Sequence, residues 1–210
     1  WKMCYTKTAS GRCMRASAGC RNLFYQNHCR IPCGIHSVFS NTFIFDAEND
    51  GKEGYLYSLV TTSIIQGIKS IPVYVEADVS DGMPLFEMVG SLSPEVKESK
   101  ERVRTALKNT GYILPPKRIT INFIPANIRK TGSGFDLPVV AAVLCAIGIV
   151  PEEALKNTMV VGEISLSGDV KPVNGILPMV AEAKERGVTR CIVPAENQTE
   201  AQLVKEIEIF

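Results

Sequence analysis

From about residue 55 onward the chain is patterned, and before residue 45 it is not. Residues 1–45 keep neither a period of 2 nor one of 3.6, the repeats that a strand or a helix imposes on its buried face. Between the two stretches, "DAENDGKEG" (Asp46 to Gly54) is acidic, polar and glycine-bearing, the composition of a linker. The expected division is an N-terminal extension and linker over residues 1–54 and a folded domain over residues 55–210.

Within that domain, "SLVTTSIIQ" and "IPVYVEADVS" alternate, carry many β-branched residues and are joined by "GIKS", which predicts a hairpin-like strand pair. Between Val75 and Val79 the alternation puts Glu76 and Asp78 on one face, where paired carboxylates solubilise a strand; no chemical role is assigned to them. "LFEMVG" reads as a third strand. "SPEVKESKERVRTALKNTG" reads as a helix with Ser93 as N-cap, Pro94 in its first turn and Gly111 ending it. Val96, Val103, Ala106 and Leu107 form its apolar stripe. Its basic residues alternate with acids, either as i,i+4 pairs such as Glu98 with Arg102 or as a nucleic-acid face. "RITINFIPA" alternates as a strand, and a helix is expected from Asp136 to Ile147. "MVVGEISLSG" reads as a strand entering a turn, "ILPMVAEAKERG" as a helix, "RCIVP" as a buried strand, "ENQTEAQLVK" as a helix and "EIEIF" as a strand. Strands and helices mix without strict alternation, so the expected class is α+β, a mixed sheet with packed helices.

Composition narrows the classes. A hydrophobic content of 45%, a charged content of 21% and a net charge of +1 describe a globular chain on which only a local patch could hold nucleic acid. The longest apolar stretch, "FDLPVVAAVLCAIGIV", contains Asp136 and Pro138 and reads as a core helix; no membrane contact and a cytoplasmic location are expected. Five of the seven cysteines lie in the first 33 residues. An odd count argues against a disulfide framework, and His28, Cys29, Cys33 and His36 lack the CxxC spacing of a zinc site, so no metal is expected.

The candidate chemistry centres on "IRKTGSGFDLP", Ile128 to Pro138. It holds the residue types of a phosphate loop in the wrong order, and no G-x-x-x-x-G-K-[ST] occurs in the chain. Asp136 is expected as the helix N-cap, placing its own carboxylate where an anion would bind. Ser133 on its glycine turn could be a nucleophile only with a base. The two histidines lie in the extension, which leaves Lys171 as the one candidate, in a Ser-Lys arrangement that needs a desolvated amine. The alternative is that Ser133 is a turn residue. Charge clustering nominates Lys117, Arg118, Arg129 and Lys130 as nucleic-acid contacts.

Several long stretches resemble one family: "SIPVYVEADVSDGMPLFEMVG", "VKESKERVRTALKNTGYILPPKRITINFIPANIRK", "FDLPVVAAVL", "VVGEISLSGDVKPVNGILPMV" and "IVPAEN". They are similar to the N-terminal domain of the bacterial competence protein ComM (YifB) family, often labelled magnesium chelatase ChlI-like. The resemblance covers the chain after the linker and none of residues 1–50, which would be a lineage-specific extension or upstream sequence from a wrong start. It implies the fold of the Lon protease proteolytic domain, shared with a ribosomal-protein domain. Lon's Gly-Pro-Ser-Ala serine falls at Gly134 and the lysine of Gly-Gly-Leu-Lys at Pro178, so the resemblance implies a domain that has lost proteolysis. Family members continue into an AAA+ ATPase module that binds ATP and magnesium, forms hexameric rings and drives DNA branch migration in natural transformation. That module is expected beyond Phe210. The rivals are a Lon-type peptidase using Ser133 and Lys171, and a stand-alone oligomerisation module.

Overall fold

A computed structural model describes residues 57–210 of the chain. The expected extension, the linker and the His28–His36 cluster lie outside the described residues. The class is α+β: a seven-stranded mixed sheet, a two-stranded ribbon and packed helices. Strand β1 (Tyr57–Gln66) and β2 (Lys69–Ser80) form the expected antiparallel hairpin, in register from Tyr57 with Asp78 to Gln66 with Lys69. Gly67 supplies the positive φ (65°) of its two-residue turn.

β3 (Leu85–Val89) runs parallel to β4 (Arg118–Ile124), which pairs antiparallel with β2. Beyond β1 the sheet continues through β5 (Thr158–Val160), β8 (Arg190–Ile192) and β9 (Glu208–Ile209), all parallel contacts, in the order β3-β4-β2-β1-β5-β8-β9.

Helices follow the apolar faces. α1 (Pro94–Asn109) buries Val96, Val103, Ala106 and Leu107, the expected stripe; Ser93 occupies the N-cap position without making a side-chain cap bond. α2 (Asp136–Ala146) is buried at all eleven positions, so it is a central rod rather than an amphipathic cover. It lies on the sheet face formed by Val60, Val75, Ala77, Ile121 and Phe123, and Phe123 meets Phe135 edge-to-face at 5.5 Å. After α3 (Glu152–Leu155), α4 (Ile176–Glu185) packs on the opposite sheet face through Ile176, Met179 and Val180, against Met159, Cys191 and Val193.

The sequence pattern misleads at two places. "MVVGEISLSG" is two strands: after β5 the chain breaks at Gly162, and β6 (Glu163–Ile164) leaves the sheet to pair with β7 (Val170–Lys171). The cause is packing, since a Cβ on Gly162 would lie 3.1 Å from Leu137 and Val170 side chains. "ENQTEAQLVK" is only a 3-10 turn (Ala195–Asn197) and a four-residue α5 (Gln198–Ala201), with Asn197 buried in another role. Among the described residues no helix is long and apolar enough to cross a membrane.

Candidate functional site

The turn between β4 and α2 sits where α1, α2 and the β6–β7 ribbon meet. Phe135, not Asp136, is the residue at the N-cap of α2, and Asp136 is the first helical residue. Its carboxylate is 0% exposed and serves long-range partners instead of its own helix end. Arg102 of α1 reaches it with Nε at 2.9 Å and Nη2 at 3.0 Å, and the backbone N–H of Ile164 donates to it at 3.2 Å. The expected Glu98–Arg102 pair therefore gives way to a two-point guanidinium–carboxylate contact, the stronger geometry. That bond holds the Arg102 pKa above its ordinary value.

Ser133 and Lys171 are not brought together as a catalytic pair. The Ser133 hydroxyl donates to the Glu163 carboxylate in a close contact. Lys171 sits opposite Glu163 in the ribbon register but is exposed to water, whereas a lysine base needs an apolar pocket to lose its proton. Gly134 is half-buried, and a Cβ there would lie 3.3 Å from Val161 Cγ2 and 3.6 Å from Val173 Cγ1. Its carbonyl accepts from the Gly162 N–H (3.0 Å), and Leu137 N–H donates to the Gly162 carbonyl (3.0 Å). Val173 is fixed by Asn197, whose amide donates to the Val173 carbonyl (2.9 Å) while its side-chain oxygen accepts the Val173 N–H (2.8 Å). The turn is thus tied on one side to Gly162 and to the segment before α4, while Thr131 and Gly132 remain exposed.

Residues 75–197, more than half of the chain, match the family described as subunit ChlI of Mg-chelatase. The chain belongs to that family. This ChlI-family chain is 37% identical over 147 residues to the uncharacterised protein YifB of Escherichia coli, covering 70% of this chain and 29% of YifB. It is 34% identical over 149 residues to competence protein ComM of Haemophilus influenzae, covering 71% and 29%. It is also similar to Lon protease 2 of Bacillus subtilis, 35% identical over 134 residues, covering 60% and 23%. The chain spans less than a third of the length of these relatives.

Pro178, where the resemblance puts the lysine of Lon's second motif, is the third residue of α4 (Ile176–Glu185). The Leu177 N–H donates to Glu200 Oε1 at 3.1 Å. Gly175 keeps a φ of 80°, and a Cβ there would lie 2.8 Å from Ile65 Cγ1.

The four nominated basic residues do not form one patch. Lys117 and Arg118 stand at the start of β4, in ion pairs with Asp81 (3.0 Å) and Glu87 (2.6 Å). Arg129 lies past the other end of β4, a strand of seven residues and so roughly 23 Å long, and is exposed. Lys130 is a correction. It is 0% exposed, and its ammonium donates to the carbonyls of Phe123 (3.2 Å) and Pro125, across the cis Ile124–Pro125 bond. Its backbone also joins the loop before α1, through Lys130 N–H to Ser91 O (2.8 Å) and Ser93 N–H to Lys130 O (2.9 Å). Buried in this way, it cannot reach a phosphate. Residues so far apart in the fold could not be separated by their spacing in sequence. No group of three or more His, Cys, Asp or Glu that could hold a metal occurs among the described residues.

Proposed function

We propose that this chain is a non-proteolytic Lon-like domain of a ComM-type AAA+ ATPase, serving assembly of a ring of like subunits that remodels DNA in the cytoplasm. The finer fold assignment, that of the Lon proteolytic domain, belongs to the same reading. The observation that carries it is a half-buried glycine, Gly134, against Val161 and Val173 where the resemblance puts Lon's serine, in a chain that keeps its likeness to ComM and Lon. On this reading ATP and magnesium are handled by a separate module, because the 210 residues hold no phosphate loop of the Walker type. No step of ATP chemistry is assigned to residues of this chain. DNA contact, if this domain makes one, falls to Arg129 among the four nominated residues, since Lys130 is buried and Lys117 and Arg118 face acids.

A serine-reactive fluorophosphonate, with a peptidase assay alongside, tests the loss of proteolysis. The expected outcome is no labelling and no cleavage. Labelling that disappears in Ser133→Ala would restore the peptidase reading.

A further inference from the structure

The segment that joins the β6–β7 ribbon to α4 contains Asn174, the one asparagine in the 210 residues that a glycine follows. Its side chain is exposed. Among the described residues, neither its amide nor the Gly175 N–H is held in a hydrogen bond. The other described asparagines are restrained in one of two ways. Asn109 donates to the Leu166 carbonyl (2.7 Å), Asn122 to Glu76 (2.8 Å) and Asn197 to Val173 (2.9 Å). Asn127 and Asn157 precede Ile128 and Thr158, whose branched Cβ crowds the backbone nitrogen beside it.

The fold itself keeps this dipeptide open. Gly175 stands at the N-cap of α4 with a φ of 80°, and a Cβ there would lie 2.8 Å from Ile65 Cγ1. Packing therefore requires glycine, the residue that leaves its own nitrogen least hindered. The preceding residue is fixed as well: the Val173 N–H donates to Asn197 Oδ1 at 2.8 Å, and the Asn197 amide donates back to the Val173 carbonyl. Asn174 is thus a free side chain on a backbone held at both neighbours.

We propose that Asn174 is a self-modification site, converted to aspartate and isoaspartate by attack of the Gly175 nitrogen. Base removes the Gly175 N–H proton, and the nitrogen bonds to Asn174 Cγ. The Cγ–Nδ2 bond breaks, and ammonia leaves with the proton. Water then opens the five-membered imide. Opening at Cγ gives aspartate; opening at the main-chain carbonyl gives isoaspartate, with the chain running through Cβ and Cγ. The net change is one water consumed and one ammonia released, with no oxidant or reductant. The two products act differently on the fold. Aspartate adds a negative charge just before the N-terminus of α4, where the helix dipole favours it. Isoaspartate inserts one more carbon into the main chain between Val173 and Gly175, both of which are pinned, so it strains the Val173–Asn197 bonds.

Peptide mapping by mass spectrometry of the folded 210-residue chain, aged at neutral and at mildly alkaline pH, tests this. Conversion at Asn174 is expected to rise with pH, because the attacking nitrogen must lose its proton. It should run at least about tenfold faster than at any other described asparagine, a barrier difference of about 1.4 kcal/mol. Both products should appear, the isoaspartate being taken up by an isoaspartyl-specific carboxyl methyltransferase. Asn174→Gln changes an exposed side chain and lengthens it by one carbon, so the ring closes poorly and conversion there should vanish. Hydrogen exchange at the Val173 N–H should be faster in the isoaspartate form than in the Asn174→Asp variant. An Asn174 that stays intact while other described asparagines convert would overturn the proposal. Aspartate without isoaspartate, or equal conversion of Asn174→Gln, would also overturn it, since either means direct hydrolysis of the amide. Equal exchange at Val173 in the two forms would overturn the strain assigned to the longer main chain.

Discussion

Two cations lie against the core, and they are held in opposite ways. Arg102 meets a carboxylate with both ends of its fork, and that carboxylate takes a further backbone N–H from the ribbon. Lys130 meets only carbonyl oxygens, at the end of β4. In the first arrangement the buried charge is the acid: Asp136 is 0% exposed while the Arg102 side chain keeps 25%. In the second the buried charge is the ammonium itself, and burial pushes its pKa below the ordinary lysine value. One cation neutralises a buried charge; the other is one.

The sharpest way to break the comparison is to remove one member of the first pair. Arg102→Met strands Asp136 with a single N–H donor and is expected to cost about 3–5 kcal/mol, because an uncompensated charge stays buried. Asp136→Asn should cost less, since the guanidinium it leaves behind reaches water. Urea unfolding of both variants compares them; an equal or reversed order would show that Asp136 is not the dependent partner. Arg102→Met with Asp136→Leu should cost less than the sum of the singles, as residues in contact do not add.

Lys130→Met comes next. It keeps the aliphatic stem but leaves the Phe123 and Pro125 carbonyls without their donor, for an expected loss of about 1–3 kcal/mol. The pH dependence separates this case from Arg102. A lysine whose folded pKa lies below its unfolded value binds fewer protons when folded, so stability rises with pH between those two values. The wild type should therefore gain stability relative to Lys130→Met as pH climbs toward about 10.5. Parallel curves for the two proteins would mean that the ammonium is solvated after all.

Both cations read from sequence as surface charges, and the reason is common to them. Arg102 lies four residues after Glu98, and Lys130 follows Arg129, so local spacing supplies a plausible bland partner or patch for each. What decides is which distant element arrives: α2 brings Asp136 to Arg102, and the end of β4 brings two carbonyls over Lys130. Periodicity reported the faces well, as in β2, where Val73, Val75, Ala77 and Val79 are buried. It also gave the α1 stripe residue by residue. It missed Gly162, whose break depends on Leu137 and Val170. The family resemblance implied a glycine at the place of Lon's serine. The contacts of Gly134 with Val161 and Val173 were not legible, because they depend on segments distant in sequence coming together.

The smallest effect lies at the exposed end of the same scale. Tyr57 donates its hydroxyl to Glu76 at 2.7 Å, and Asn122 donates to the other oxygen at 2.8 Å, on the open sheet face. That bond, with some burial, raises the Tyr57 pKa to about 12. A raised folded pKa means that the stabilisation is complete below the unfolded value of about 10 and is lost as pH rises through the folded one. Tyr57 is 52% exposed, so water screens the contact, and the loss on Tyr57→Phe should stay under about 1 kcal/mol. Absorbance titration of the phenolate is the cleaner readout: Glu76→Gln should bring the midpoint back toward about 10. An unchanged midpoint would place the cause in burial, and the contrast between buried and exposed partners would then extend to this side chain as well.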